Sequence, residues 1–340
     1  MIPIIFARSS SLQSWSTCKM AYYLIYGLGY QTPSGLAAVK GTICHKVLEC
    51  LAICKKLIQD NEEGENFVCE DSEIGNIPFT KIELYTEEFV TKLLELAYNH
   101  YKTNNSHLEF NDKTDYKFCQ NMLDYAFNHN NGQFDPREQN IFQPEIGFVI
   151  EIDQPWARFE HEGEMVNLCI KGTIDLIIRE SENTLMVCDY KSGATRKDFA
   201  TGKVKNELDF YQDIQLLLYY FAVCHLYPEV KYVIVTILYL QAGGPFTVCF
   251  DKSNHDVFLL KLKKIFEEIR SCNNPEPINP WRSDFRCTRL CHFYKTNWPG
   301  TETKMCYHAE NYIKTYGITK ASEDLKKPGF TVVHYHSPGT

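Results

Sequence analysis

GTIDLIIRESENTLMVCDYKSG, residues 172–193, sets two apolar runs on either side of a polar turn. Residues 171–178 and 185–191 are apolar and rich in β-branched side chains, with Glu180, Ser181, Glu182 and Asn183 between them. That composition is that of a β-hairpin. Folded symmetrically about residue 182, it would set Asp175 directly opposite Asp189, with Cβ atoms about 4.5–5.5 Å apart. Asp189 and Lys191 share one face and Tyr190 points to the other, because side chains alternate along a strand. Two like charges facing each other in a half-buried sheet destabilise it. A divalent cation removes the conflict, since carboxylate oxygens are the hard donors that Mg²⁺ and Mn²⁺ prefer. The neighbouring lysine can then orient a water nucleophile or stabilise charge building on a phosphate. An Asp-x-Lys tripeptide alone arises often by chance, and strand-end aspartates mostly cap turns or meet solvent. The facing aspartate at hairpin spacing lifts this pair above that reading.

Around the hairpin lies a chain of 340 residues, 44% hydrophobic and 23% charged, long enough to bury one large core or two. A net charge of −8 argues against nucleic-acid binding over the whole surface and leaves room for a local basic channel. The start MIPIIFARSSS lacks the basic, apolar and cleavage regions of a signal peptide. The longest apolar runs, such as LLLYYFAVCHLY, are too short to span a bilayer. The expectation is a cytoplasmic protein without membrane attachment. Fourteen cysteines without a secretory signal then read as free thiols and metal ligands, not as a disulfide framework.

Helical periodicity marks SSLQSWSTCKMAYYLIYGLGY, LAAVKGTICHKVLECLAICKKLIQ, TEEFVTKLLELAYNHYK and TDYKFCQNMLDYAFNHN, with an acidic surface loop expected over residues 60–76. From about residue 141 the character changes. IFQPEIGFVIEI, the hairpin and KYVIVTILYL read as strands, while ELDFYQDIQLLLYYFAVCHLY and HDVFLLKLKKIFEEIRSC read as long helices. NNPEPINPW breaks the chain, and the segment beyond it reads as cysteine-bearing and irregular. The reading is a helical region over residues 1–140, an α/β core over 141–272 and a cysteine-bearing segment over 273–340 that docks back on the N-terminus.

Four more residues, Glu145, His45, Gln215 and Tyr219, can join the hairpin. Glu145 lies in a strand that precedes it; His45 and Glu49 lie one turn apart on a helix and face the same way. Neutral imidazole is a common metal ligand. Gln215 and Tyr219 are one turn apart on the helix after the DYK strand. Singly, each is as readily a packing or solvent-facing residue; their order along the chain is more specific. Arg196, Lys197, Lys203 and Lys205 follow Lys191 closely and can draw a phosphate backbone towards it.

That order resembles the RecB-like branch of the PD-(D/E)XK nuclease superfamily, on SSSLQSWSTCKMAYYL, GTICHKVLE, QPEIGFVI, GTIDLII, CDYKSG and QLLLYY. The resemblance implies an α/β nuclease core with a mixed central sheet flanked by helices. It implies that His45, Asp175 and Asp189 bind Mg²⁺ or Mn²⁺, that Lys191 activates water, and that Glu145, Gln215 and Tyr219 support the site. Ile174 stands where the family pattern has a proline. Cys18, together with Cys287, Cys291 and Cys306 more than 260 residues later, looks like the split arrangement of the iron–sulfur nucleases of this branch, the AddB-like and CRISPR adaptation enzymes. In those, four thiolates hold a [4Fe–4S] cluster. The spacing is looser here, and the adjacent His292 leaves zinc as the alternative. The implied activity is a metal-dependent DNA exonuclease in recombination, repair or phage DNA processing, with DNA and a recombination or helicase protein as partners. The rivals are a structure-selective endonuclease on the same fold and a non-catalytic DNA-binding or scaffold subunit.

Overall fold

Alternation along the central strands organises the molecule. The computed structural model describes residues 2, 4–161, 163–193, 203–241, 243–279, 281 and 283–330. In chain order the elements are β1 (Phe6–Ala7), α1 (Ser9–Thr17), α2 (Lys19–Tyr22), α3 (Leu36–Asp60), β2 (Asn66–Asp71), β3 (Gly75–Thr80), α4 (Glu87–Asn104) and α5 (Asp112–Asn128). There follow β4 (Ile141–Gln143), β5 (Ile146–Glu151), β6 (Arg158–His161), β7 (Glu164–Asn167), β8 (Cys169–Ile174), β9 (Leu176–Ser181) and β10 (Thr184–Lys191). The remainder is α6 (Glu207–Tyr211), α7 (Ile214–Leu226), β11 (Tyr232–Tyr239), β12 (Gly243–Phe250), α8 (Asn254–Ser271), α9 (His292–Lys295) and α10 (Met305–Asp324).

Five strands form a sheet in the order β12-β11-β10-β9-β4. β10 and β11 run parallel and the other neighbours antiparallel, so the sheet is mixed, and helices cover both faces. Leu185 and Val187 of β10, Ile177 of β9, and Val233 and Val235 of β11 enter one apolar core with α1, α7, α8 and α10. Met186, Cys188 and Tyr190, with Leu176 and Ile178, enter a second core with α3, α4 and α5. A sheet covered on both faces needs apolar residues at successive positions, which is why β10 reads as nearly continuous hydrophobic sequence. A smaller sheet, β1-β8-β5, completes the first core through Ala7, Ile170, Phe148 and Ile150.

The hairpin keeps its expected register, with Met186 opposite Ile178 and Cys188 opposite Leu176. The ladder ends there. The strand expected over residues 171–178 breaks at Asp175: β8 pairs with β5 in the small sheet and β9 with β10 in the large one. Asp175 therefore occupies the crossing between two sheets, not a rung opposite Asp189. The helix expected over residues 207–227 also breaks, because Asp213 caps α7 by accepting the Gln215 N–H at 2.8 Å. Residues 60–76, expected as a loop, carry β2 and the turn into β3; Phe67, Cys69, Ile77 and Phe79 alternate into the second core.

The C-terminal segment, expected to be irregular, is largely helical. Phe293, Met305, Cys306, Ala309 and Ile313 enter the first core, so apolar burial docks α9 and α10 on the rest. α3 approaches the end of β10 closely. A Cβ added at Gly41 would lie 2.4 Å from Ser192 Oγ and 2.9 Å from its Cβ, so only glycine lets the helix seat there. His45, one turn on, then packs edge-on to Tyr190.

Candidate active site

Asp175 takes up what the strand break leaves unpaired. Its Oδ2 accepts the Tyr190 N–H at 2.9 Å, and His45 Nδ1 lies 3.5 Å from the same oxygen. Tyr190, pointing the other way, fixes β10 by donating its hydroxyl to Phe134 O at 2.7 Å. Asp189 is 2% exposed. Its Oδ1 accepts from Tyr219 Oη at 2.9 Å, Gln215 Nε2 at 3.2 Å and Lys191 Nζ at 3.0 Å. Gln215 Nε2 also donates to Tyr219 Oη at 2.9 Å. α7 can present this pair because the Asp213 cap starts the helix just before Gln215, leaving Gln215 and Tyr219 on one side of its first turns.

Of the residues singled out by sequence, the structure thus brings together His45, Asp175, Asp189, Lys191, Gln215 and Tyr219. Glu145 sits in the bend between β4 and β5, not within a strand, and is exposed. Lys203 is exposed, and Lys205 is ion-paired with Asp213. Arg196 and Lys197 lie outside the described residues.

The two aspartates titrate as a coupled pair. Burial pushes Asp189 up and Asp175 adds to that, against the pull of Lys191, leaving Asp189 above the ordinary carboxylate value. Burial also opposes ionisation of Asp175, yet His45, Lys191 and the Tyr190 N–H together hold it below the ordinary value. His45 is raised: burial favours the neutral ring, but Asp175 and Asp189 outweigh it. Lys191 is raised, since Asp189 outweighs its burial. Glu145 is pushed up to about 7, by burial of its carboxyl and then by Glu49 and Asp175.

A raised carboxyl costs stability as pH climbs from its unfolded value through its folded one. Wild type should therefore lose stability between about pH 4.5 and 7 relative to Glu145→Gln, by less than about 1 kcal/mol because the carboxyl is only partly buried and solvent screens it. Paired thermal melts across that range in EDTA check it. A constant difference between the two proteins would remove Glu145 from the field of the site.

Sequence reasoning assigned nothing to Lys46. It is 9% exposed, and its ammonium meets Glu49 Oε2 at 2.7 Å, Asp71 Oδ2 at 3.0 Å and Glu73 Oε2 at 3.0 Å. Tyr101 Oη donates to Glu73 Oε2 at 2.7 Å. This knot ties the helix that carries His45 to the β2–β3 hairpin. Its sequence signal was the acidic turn at residues 70–73, which demands a cation nearby.

Metal fit can be judged from the donors. Among the described residues no three His, Cys, Asp or Glu side chains are arranged to hold a metal ion. Asp189 Oδ2 is buried and lies 2.8 Å from Lys191 Nζ, yet receives no hydrogen bond of acceptable geometry. This oxygen, ion-paired with Lys191 and within the field of Asp175, can also meet a cation such as Mg²⁺, which needs only one or two protein carboxylates and keeps its waters. The thiols differ. Cys18, Cys287 and Cys291 line one cleft of about 970 Å³ with His292. Cys18 Sγ, however, caps α2 by accepting the Ala21 N–H, and Cys306 packs in the first core. Among the described residues no group that could hold a metal ion is found at these four cysteines, and no disulfide forms among the described cysteines.

A family model for the PD-(D/E)XK nuclease superfamily matches residues 9–295. The chain belongs to that superfamily. PD-(D/E)XK proteins are nucleases and generally use divalent metals such as Mg²⁺. Among solved structures the chain is similar to one from Eubacterium rectale titled "Putative exonuclease", at 10% identity and a TM-score of 0.44, covering 88% of this chain and 90% of that one. No curated protein matches the sequence. Among the described residues of this PD-(D/E)XK protein, no helix is long and apolar enough to cross a membrane.

Proposed function

We propose that the protein is a metal-dependent DNA exonuclease. The observation that carries this reading is the grip of Lys191, Gln215 and Tyr219 on Asp189 beside the Asp175–His45 contact. Asp175 and Asp189, with His45, are the residues that would hold Mg²⁺ or Mn²⁺. The bound metal would neutralise phosphate charge and lower the pKa of water. Tyr219 and Gln215 fix the Asp189 rotamer, so its second oxygen stays directed away from them. Lys191 enters as a cation, because its raised pKa makes it a poor proton acceptor, and it supports negative charge developing on phosphate oxygens. Glu145 contributes negative field at the rim, and Lys203 and Lys205, with Arg196 and Lys197, draw the backbone in.

The recessed site favours a strand end. Asp189 and Asp175 side chains are only 2% and 18% exposed, so a frayed end or single strand reaches them more readily than an intact duplex. End-labelled linear DNA and closed circular single-stranded DNA, each with Mg²⁺ or Mn²⁺, provide the test. Progressive loss of the linear strand with the circle intact is expected. Cutting of the circle would make the protein an endonuclease, and binding without cleavage of either would make it a scaffold.

A further inference from the structure

We propose that Tyr239 contacts the substrate strand, its hydroxyl donating a hydrogen bond to a non-bridging oxygen of the phosphate that Lys191 supports. The inference rests on the nuclease reading and deepens it by naming a second donor for that phosphate. Its first warrant is register. β10 and β11 run parallel and end on the same rung, with Asp189 beside Ile237 and Lys191 beside Tyr239. Residues paired in this way present their side chains to one face of the sheet. Ile237 enters the first core and Tyr239 packs against it, so this is the face on which Tyr219 holds Asp189. Leu240 N–H donates to Lys191 O at 2.8 Å, which locks the two strand ends together beyond the last rung. Asp175 thus flanks β10 on the β9 side and Tyr239 flanks it on the β11 side.

Chemistry supplies the second warrant. Ligands of α/β sheets gather beyond the carboxyl ends of parallel strands, and Lys191 and Tyr239 are two such ends. The Lys191 side chain is 34% exposed and Tyr239 is half-buried, so both reach the surface at one place. Burial opposes the charge of Lys191, while Asp189, Asp175 and then Tyr239 favour it, which puts the phenol within the field of the ammonium. The ring is braced. It meets Phe246 edge-on at 5.9 Å, and Phe246 stacks on Phe210 at 5.5 Å. The β12 residue opposite Tyr239 is Gly243, which brings no side chain to that face. A braced ring fixes the direction of its hydroxyl, and a fixed neutral donor beside a cation suits the oxygens of one phosphate. Were the residue there only to pack on Phe246, phenylalanine would serve as well.

Tyr239→Phe tests this on the full chain, because it keeps the ring and removes only the hydroxyl; its melting temperature in EDTA should match that of wild type. With fluorescent single-stranded DNA in EDTA, which blocks cleavage, the variant should bind about 10-fold more weakly. The slope of log affinity against log salt should stay the same, since a neutral donor displaces no counterion. With Mg²⁺, single-turnover cleavage should slow about 10-fold or more. A phosphorothioate at the scissile position, tried as each diastereomer, ties the loss to one oxygen. Sulfur is a weak acceptor, so one diastereomer should slow wild type about 10-fold more than it slows Tyr239→Phe. Unchanged affinity and rate in Tyr239→Phe overturn the contact even where wild type cleaves DNA. Equal sulfur penalties in the two proteins, for both diastereomers, overturn it even where the variant is slow. A wild type that binds DNA through the Tyr239 hydroxyl and never cleaves it overturns the nuclease reading and leaves the contact standing. A wild type that binds no DNA overturns the contact outright.

Discussion

Asp189→Asn is expected to cut the cleavage rate at least about 1,000-fold, or about 4 kcal/mol of activation free energy, while the metal-free protein melts no lower than wild type. Both halves follow from the same environment. The substitution replaces the charged donor that Lys191, Tyr219 and Gln215 orient, so the cation site and the fixed geometry go together. It also removes a charge that the fold disfavours. Asp189 is raised, so its ionised form subtracts stability at every pH above its ordinary value near 3.8, most fully above the folded value.

Asp175→Asn should abolish cleavage as well, but with the opposite effect on stability. Asp175 is lowered, so it contributes stability above its ordinary value, and that contribution is lost as pH falls through the folded one. The facing-pair geometry made the two aspartates equivalent, so that removing either would relieve repulsion; the break at Asp175 makes them different. Single-turnover cleavage with Mg²⁺ and melts in EDTA at pH 7 read both quantities. Near wild-type cleavage by Asp189→Asn, or Asp175→Asn melting above it, would sink this assignment.

Lys46→Met should cost about 3 kcal/mol, because it leaves the carboxylates of Glu49, Asp71 and Glu73 crowded together without their cation. Methionine keeps most of the stem, so lost packing is small and the change reports mainly charge. Burial opposes ionisation of Asp71 and Glu73, but Lys46 and other hydrogen bonds hold both below their ordinary values. Their contribution is present above about pH 4 and disappears as they protonate below it. Urea unfolding at pH 7 and pH 3 should show the gap between wild type and variant shrinking with acid. A loss under about 1 kcal/mol, or one indifferent to pH, would mean that the knot is worth no more than a surface ion pair.

What could be read from sequence was what short-range periodicity carries. The hairpin register followed from alternation about residue 182, and the helix that bears His45 from its 3.6-residue pattern. The site residues were recognisable by type and order, because carboxylates within apolar strands need a reason. Three features escaped for one cause: distant neighbours decided them. Asp175 ends a strand because β8 finds β5, which no window around residue 175 reveals. Residues 60–76 seemed too acidic for a strand, yet Asp71 and Glu73 answer Lys46, some 25 residues earlier. The C-terminal segment read as irregular, yet Met305, Ala309 and Ile313 recur at helical spacing and find the first core. Glu145 was placed correctly along the chain but not in space, since Pro144 and Glu145 form a bend.

The central sheet divides the interior in two, and the candidate catalytic groups are drawn from both sides: His45 from the α3 side, Gln215 and Tyr219 from the α7 side, with Asp175 at the crossing between sheets. Such an arrangement behaves as a safety interlock. During synthesis the first helix to contribute emerges more than 150 residues before the last, so a nascent chain carries no assembled cutting centre until residues past 219 are out and folded. Heating should act in the same direction. If either half loosens first, cleavage fails while the other half still reports as folded, so the inactivation temperature should fall at or below the melting temperature. An enzyme able to degrade genetic material would thus be disarmed by partial damage anywhere in its frame.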